Sequence, residues 1–353
     1  MTDPWDSTVD VLVAGSGAAG LSAAIAAADD GLDVLVVEST SKWGGTTSVS
    51  GGGLWMPANP LMLRDGVPDS AEEALRYMDE VIAEAGPASS PERRKAFVRT
   101  APEVVAFLGR HGVRWRRSPD YPDYYPDRPG GKVGRAILVS ERSFPFSIMV
   151  DANGERFTNE SASYIDVGHD MLAHNVPGPM WLISDVRHTR RYLNTALLGQ
   201  AKKCSRAGLL VQAPTLESLA AKIGVDAVRL GAAVKRFNGF ARSGVDEDFG
   251  RGRTVYDNYY GDPRVKPNPN LAPLEKGPFR AVRVYPGDLG TKGGLLTDEH
   301  ARVLREDGTA IPGLYAAGNT TASVMGRTYP GPGSTIGPAV VFGYRAARHA
   351  ASR

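Results

Sequence analysis

The stretch that decides the fold begins Val9-Asp10-Val11-Leu12-Val13-Ala14-Gly15-Ser16-Gly17-Ala18-Ala19-Gly20 and closes with Asp33-Val34-Leu35-Val36-Val37-Glu38. Val9 to Ala14 alternates and then runs apolar, as a buried parallel strand does. The glycine turn follows directly and opens a small-residue helix, Leu21 to Ala28. Gly31 ends that helix in the left-handed region, and Asp33 to Val37 forms a second strand that ends in an acid. A lone GxGxxG is weak evidence, whereas one enclosed by strand, helix, second strand and terminal acid is a complete βαβ dinucleotide unit. Gly15, Gly17 and Gly20 permit the tight turn, close approach of a pyrophosphate and helix-on-strand packing. Ser16, Ala18 and Ala19 complete the turn, and the helix N-terminus favours negative charge. Glu38, followed by Ser39, is placed to accept hydrogen bonds from a ribose.

The choice of dinucleotide comes from the next segment. Lys42-Trp43-Gly44-Gly45-Thr46-Thr47-Ser48 and Ser50-Gly51-Gly52-Gly53 supply a second turn rich in glycine and hydroxyls. An extended flavin, with its own phosphate and ribityl chain, needs such a second surface; a nicotinamide does not need one here. FAD is therefore the expected cofactor, with Gly44, Gly45, Thr46, Thr47, Ser50 and Gly51 as contacts. Near the C-terminus, Gly313 to Ala317 reads as a buried strand running into a flavin-contacting turn at Gly318-Asn319. Gly337-Pro338-Ala339 then opens a final helix, Ile336 to Ala350, whose free N–H groups would face the N1/C2=O edge of the flavin.

Composition narrows the function classes. The 353 residues include 41 basic and 39 acidic side chains, so no net field attracts nucleic acid or an anionic membrane. The single cysteine, Cys204, excludes an intramolecular disulfide and suits a reducing cytoplasm. Six scattered histidines show no metal-ligand spacing, so no metal is expected. No run of 18 uncharged apolar residues is present, which argues against a transmembrane segment while allowing peripheral membrane contact.

Between the nucleotide segments lies a long excursion. Ser70 to Ala85 and Pro91 to Arg110 read as helices with N-terminal signals. Ser147 to Asp151 and Glu155 to Phe157 read as strands joined by Asn153-Gly154, and Leu216 to Ile223 and Asp226 to Ser243 as helices. Residues 246 to 280 read mostly as loop, and Gly293 to Thr297 as a strand. The expected architecture is α/β: a Rossmann-like FAD-binding domain in two parts, 1–136 and 291–353, with an inserted α+β catalytic and substrate domain at 137–290.

Tyr329-Pro330-Gly331-Pro332-Gly333 lies between the Gly318 turn and the final helix. An isolated YPGPG is an ordinary solvated turn. In this setting a phenol, two prolines that fix φ and exposed backbone N–H groups suit the holding of one ligand oxygen.

With these motifs the chain resembles the 3-ketosteroid Δ1-dehydrogenases, flavoproteins related to the fumarate reductase flavin subunit. The resemblance also includes Asp123-Tyr124-Tyr125-Pro126, Gly154-Glu155-Arg156-Phe157-Thr158-Asn159-Glu160-Ser161, Arg236-Phe237-Asn238-Gly239-Phe240, Gly244-Val245-Asp246-Glu247-Asp248-Phe249 and Asp288-Leu289-Gly290-Thr291-Lys292-Gly293-Gly294. It implies that Tyr329 and the Gly333 N–H hold the C3 carbonyl of a 3-ketosteroid. It further implies that Tyr164 takes the C2 proton, that Tyr124 hydrogen-bonds Tyr164, and that hydride passes from C1 to flavin N5. A quinone-like or other acceptor would reoxidise the flavin. A phenol ordinarily titrates near about 10, so a tyrosine base needs a neighbouring phenol or a positive field.

The family's chains are considerably longer. Between Arg135 and Ile148 they return through the flavin domain with further strands, and nothing in Gly130 to Pro145 matches that return. The flavin domain is therefore read as incomplete relative to the family. This leaves two other readings open: a catalytically impaired or non-enzymatic relative that binds steroid or flavin, and another flavin oxidoreductase of the same fold, such as a Δ4-dehydrogenase or fumarate-type reductase.

Overall fold

The computed structural model describes residues 7–117, 121–132, 143–192, 205–287 and 290–353. Asp120, Gly134, Arg135, Cys204, Asp288 and Leu289 lie outside these residues, as do positions 133–142 of the Gly130 to Pro145 run. The chain forms two compact units, Met1–Leu138 with Leu289–Arg353, and Val139–Asp288.

In the first unit, β1 (Val11–Ala14) and β2 (Val34–Val37) pair in parallel, with α1 (Ala18–Asp29) between them in sequence. Extended backbone at Gly17 (φ −68°, ψ 176°) ends the turn. Helix therefore begins at Ala18, three residues before Leu21, because Ala18 and Ala19 are strong helix formers. A Cβ on Gly20 would stand 2.0 Å from the Gly15 carbonyl oxygen, so only glycine lets α1 leave the strand this closely. The expected buried strand is not what forms. Only Val13 of β1 is buried and Leu12 is 62% exposed, because α1 covers one face and the described sheet has only these two strands.

Two further helices contribute to the core of this unit. Helix α2 (Ala71–Ile82) is capped by Ser70, whose Oγ accepts from the Glu73 N–H at 3.2 Å, and buries Ala74, Tyr77, Met78 and Ile82 along one face. It stops before Ala85 because Ala83 turns to φ 53°. Helix α3 (Pro91–Arg110) begins with Pro at its first position under a Ser90 cap, and its buried face carries Phe97, Val98, Ala101, Val104, Phe107 and Leu108.

The second unit contains β3 (Ser147–Val150), α4 (Tyr164–Ala173), β4 (Met180–Ser184), β5 (Leu210–Ala213), α5 (Leu216–Ile223), α6 (Ala227–Ser243) and β6 (Phe279–Val284). Its strands form one antiparallel sheet in the order β3-β4-β6-β5. Leu219, Leu230, Val234 and Phe237 from α5 and α6 cluster with Ile148, Trp181, Ile183 and Ala281 of the sheet. Glu155 to Phe157 is not a strand. After the Gly154 turn (φ 89°) it makes a single bridge, Val150 to Arg156, and Arg156 is then drawn into a buried ion cluster.

In that cluster Glu160 accepts from Arg156 at 2.8 Å, Arg251 at 3.1 Å and the Met149 N–H at 3.0 Å. Arg156 also donates to Asp246 at 3.0 Å, and Arg251 to the Ser147 carbonyl at 2.7 Å. Burial alone would raise the Glu160 carboxyl, but the Arg156 and Arg251 charges and the N–H donors outweigh it and hold it below the usual carboxylate range.

The chain returns to the first unit with β7 (Arg302–Leu304), β8 (Ala310–Tyr315) and α7 (Ile336–Ala351). Gly293 to Thr297 makes only isolated bridges, Leu295 to Thr321 and Thr297 to Val303. Strand β8 starts three residues before Gly313, pairs antiparallel with β7, and leaves Leu314 exposed where a buried strand is expected. Its partner is the local hairpin strand, and that hairpin covers one side only.

Glu160→Gln keeps the side-chain shape and removes its charge, leaving two buried guanidiniums undercompensated. The unfolding free energy should fall by about 3–5 kcal/mol, measured as a lower urea midpoint; an unchanged midpoint contradicts the assignment.

Candidate functional site

The nucleotide turn is assembled by backbone and hydroxyls. Glu38 Oε2 accepts from the Ser16 N–H at 3.1 Å and the Ser16 hydroxyl at 2.6 Å. Its Oε1 accepts from the Thr40 N–H at 3.1 Å and the Ser39 hydroxyl at 3.2 Å. These donors, led by the Ser16 hydroxyl, push the carboxyl down to about 2. A ribose hydroxyl would take its place among donors to an oxygen already ionised and oriented.

Ser16 also accepts from the Gly44 N–H at 2.9 Å, and Thr47 Oγ1 accepts from the Ala18 N–H at 3.2 Å. The two glycine turns are thus stitched together. Gly15, at φ 102°, has open space where a Cβ would point, as the close approach of a phosphate requires. Gly45 to Val49 forms one 3-10 turn with Thr46 exposed, and the Ser50 hydroxyl closes back on the Thr47 carbonyl at 2.8 Å beside exposed Gly51. A cleft of about 480 Å³ in this unit is lined by Ala18, Thr47, Gly53, Leu54 and Ile336. It joins both turns to the start of α7. The glycines in its lining, and the ionised Glu38 at the end of β2 in the same unit, fit a flavin dinucleotide.

Gly318 (φ 75°) packs toward Ala19 and Ala339, and the Asn319 carbonyl accepts from the Thr291 hydroxyl at 2.9 Å. At α7 the geometry differs from expectation. The Gly337 N–H donates to the Gly333 carbonyl at 2.9 Å and the Ala339 N–H to Thr335 at 3.2 Å. Pro338 has no N–H to offer. These three residues therefore bring the helix field, with the Gly337 amide already used, because the Tyr329 to Gly333 loop winds directly into the helix.

The Tyr329 to Gly333 loop is held from several sides. The Pro330 carbonyl accepts from the Tyr77 hydroxyl at 2.6 Å and the Tyr124 N–H at 2.9 Å. Tyr77 in turn accepts from the Tyr125 N–H at 3.1 Å. A Cβ on Gly331 would stand 2.4 Å from Trp55 Cδ1, and Trp55 Nε1 donates to buried Asp123 at 2.8 Å. The Tyr124 and Tyr329 rings lie 5.5 Å apart. Gly333 adopts φ 89°, its Cβ position would fall 2.4 Å from the Gly53 carbonyl oxygen, and its N–H has no partner among the described residues. Lys292 Nζ stands 5.0 Å from the Tyr329 ring centroid and donates to the Thr328 carbonyl at 2.7 Å. Burial pushes its amine down to about 8.

Tyr164 belongs to the second unit, where it is the first residue of α4 and 38% exposed. Ser163 caps that helix, accepting from the Asp166 N–H at 3.3 Å. The structure thus brings Tyr124, Tyr329 and Gly333 together in one unit and places Tyr164 in the other. Tyr77, Trp55, Asp123 and Lys292 carry no assignment from sequence. Tyr77 follows the core periodicity of α2 and gives no separate signal; Asp123 and Lys292 stand inside motifs but as neighbours of the conspicuous residues.

Because the Glu38 carboxyl is depressed in the fold, the stability it contributes is present above about 4.5 and is lost as pH falls toward about 2. The melting-temperature difference between wild type and Glu38→Gln should hold from neutrality to the upper figure and close near the lower one. A difference independent of pH contradicts the Ser16 assignment.

The FAD binding domain family matches residues 10–133 and 122–336. A 3-oxosteroid 1-dehydrogenase of Mycolicibacterium smegmatis is 31% identical over 550 aligned positions, covering 96% of each chain. A 4-oxocyclohex-2-ene-1-carboxylate 5-dehydrogenase of Sinomonas cyclohexanicum is 47% identical over 217 residues, 59% of this chain and 36% of that one. Among solved structures, 3-ketosteroid Δ1-dehydrogenase from Sterolibacterium denitrificans, in complex with 1,4-androstadiene-3,17-dione, superposes with a TM-score of 0.90 at 28% identity, over 98% of this chain and 99% of that chain. With matching family, length coverage and backbone, the chain belongs to the FAD-binding flavoprotein family that contains the 3-oxosteroid 1-dehydrogenases.

Proposed function

We propose that this chain is an FAD-dependent dehydrogenase that introduces a C1–C2 double bond into a 3-ketosteroid. The observation that carries the reading is the clamp: Tyr329 on a loop fixed by Tyr77 and Trp55, followed by a Gly333 N–H with no described partner. Two donors on one fixed loop suit a ketone that gains negative charge as its α-proton leaves. Tyr329 and Gly333 hold the C3 oxygen, Tyr164 removes the C2 proton, and Tyr124 supports the phenol that does so. FAD, when bound, supplies the acceptor for the C1 hydride, and a quinone-like or other acceptor takes the electron pair onward. Gly15 to Gly20, Glu38, Thr47 and Gly318 would hold the dinucleotide.

The first βαβ unit is read as a Rossmann-like core that is short relative to the family. The alignment with the mycobacterial relative spans 550 positions against 353 residues in this chain, so that relative carries residues without a counterpart here. The exposure of Leu12, Leu35, Val37 and Leu314 supports a missing cover over β1, β2 and β8.

A second reading follows from the higher partial identity to the Sinomonas enzyme: the same chemistry on a smaller cyclic keto acid. The test is anaerobic reduction of the FAD-loaded protein by 4-androstene-3,17-dione and, separately, by 4-oxocyclohexanecarboxylate. Bleaching by the steroid with formation of the 1,4-diene is expected, and Tyr329→Phe and Tyr164→Phe should each lower turnover by about 10²–10³. Bleaching by the keto acid alone would establish the second reading, and bleaching by neither would mark a non-catalytic relative.

A further inference from the structure

Lys292 is a half-buried cation without a counter-ion among the described residues. Its amine is displaced by burial alone, with no carboxylate acting on it, whereas Arg156 and Arg251 face Glu160 directly. Its backbone is fixed, since the Ser323 N–H donates to the Lys292 carbonyl at 2.9 Å. Its head is fixed as well: the 2.7 Å bond to the Thr328 carbonyl pins Nζ one residue before Tyr329 and 5.0 Å from the centre of that ring. An ammonium over an aromatic face attracts ring electron density, and the effect grows when water is excluded.

We propose that Lys292 is a positioning residue for the ketone clamp: its ammonium, held over the Tyr329 ring by the Thr328 carbonyl, makes the Tyr329 hydroxyl a stronger donor to an oxygen that gains charge during α-deprotonation. This rests on the reading of Tyr329 as the ketone donor. No acid among the described residues pairs with the cation, so among them nothing opposes its field at the ring. It is also in place before reaction, so no reorganisation is required when charge develops. The proton that leaves the substrate does not pass through Lys292.

Three substitutions separate charge from architecture. Lys292→Arg keeps the cation and a donor for Thr328, Lys292→Gln keeps a donor without charge, and Lys292→Met keeps neither. Turnover by the FAD-loaded protein should fall by about 3- to 30-fold in both the Gln and the Met variants, with KM within about twofold, and be largely retained in the Arg variant. If Gln behaves as wild type and only Met fails, Lys292 is merely structural and the proposal is overturned.

A second readout needs no turnover. The infrared C3 carbonyl stretch of bound 1,4-androstadiene-3,17-dione, labelled with ¹³C, should lie lower in wild type and in Lys292→Arg than in Lys292→Gln. Equal frequencies in wild type and Lys292→Gln overturn the proposal. If the ligand does not bind wild type, the steroid reading fails instead. The lysine is then judged on the ¹³Cζ resonance of Tyr329, identified by its loss in Tyr329→Phe. That resonance should move in Lys292→Gln and return in Lys292→Arg; no movement overturns the proposal.

Discussion

Backbone touching backbone at α1 is the constraint on which the flavin unit depends. A Cβ on Gly20 would stand 2.0 Å from the Gly15 oxygen, and one on Gly343 would stand 2.2 Å from the Ala19 oxygen. The Ser22 hydroxyl adds a buried hydrogen bond to the Val340 carbonyl at 2.8 Å. Helix α1 is therefore held at contact distance from its own turn on one side and from α7 on the other. Since α7 begins only three residues after Gly333, the spacing between the nucleotide turn and the Tyr329 to Gly333 loop is set by these contacts. Interiors this close-packed transmit a displaced helix to their neighbours with little loss.

The same logic governs the Tyr329 to Gly333 loop. Prolines restrict the loop's own torsions, but they do not say where it sits. Its place comes from Trp55 against Gly331 and from the Pro330 carbonyl, which receives both the Tyr77 hydroxyl and the Tyr124 N–H. A single carbonyl thus ties the loop bearing Tyr329 to the segment bearing Tyr124. The pairing of those two rings follows from main-chain bonds. Side-chain rotamers need only complete it.

These features were unevenly legible in the sequence. The βαβ unit, Glu38 and the helices at 71–82, 91–110 and 216–243 follow from periodicity, caps and glycine placement, all local signals. The strands at 180–184, 210–213 and 279–284 were not legible, because they are short and acquire their identity only by pairing at long range. The burial of β1 was over-read, since apolar composition reports what a strand could bury and not whether a neighbour is present. In the site, tyrosines in motifs stand out, whereas Tyr77 and Trp55 look like any core aromatic. Their roles depend on one hydroxyl and one indole N–H finding particular acceptors, and spacing does not encode that.

The Glu160 cluster and Lys292 differ in how their charge is met, and the contrast bears on what each charge can do. In the second unit Glu160, Arg156, Arg251 and Asp246 satisfy one another, while Arg251 and Asn270 also donate to the Ser161 hydroxyl at 3.1 and 2.9 Å. A cluster so fully paired projects little field beyond itself. Its effect is mechanical: it fixes the Asn159 to Ser163 segment from which α4, and Tyr164 with it, departs. Lys292 bears a desolvation cost without a counter-charge among the described residues, a cost that purely structural packing could avoid with an apolar residue of similar length. A cation in that position has one asset a neutral side chain lacks, its field, and the ring of Tyr329 lies 5.0 Å away to receive it.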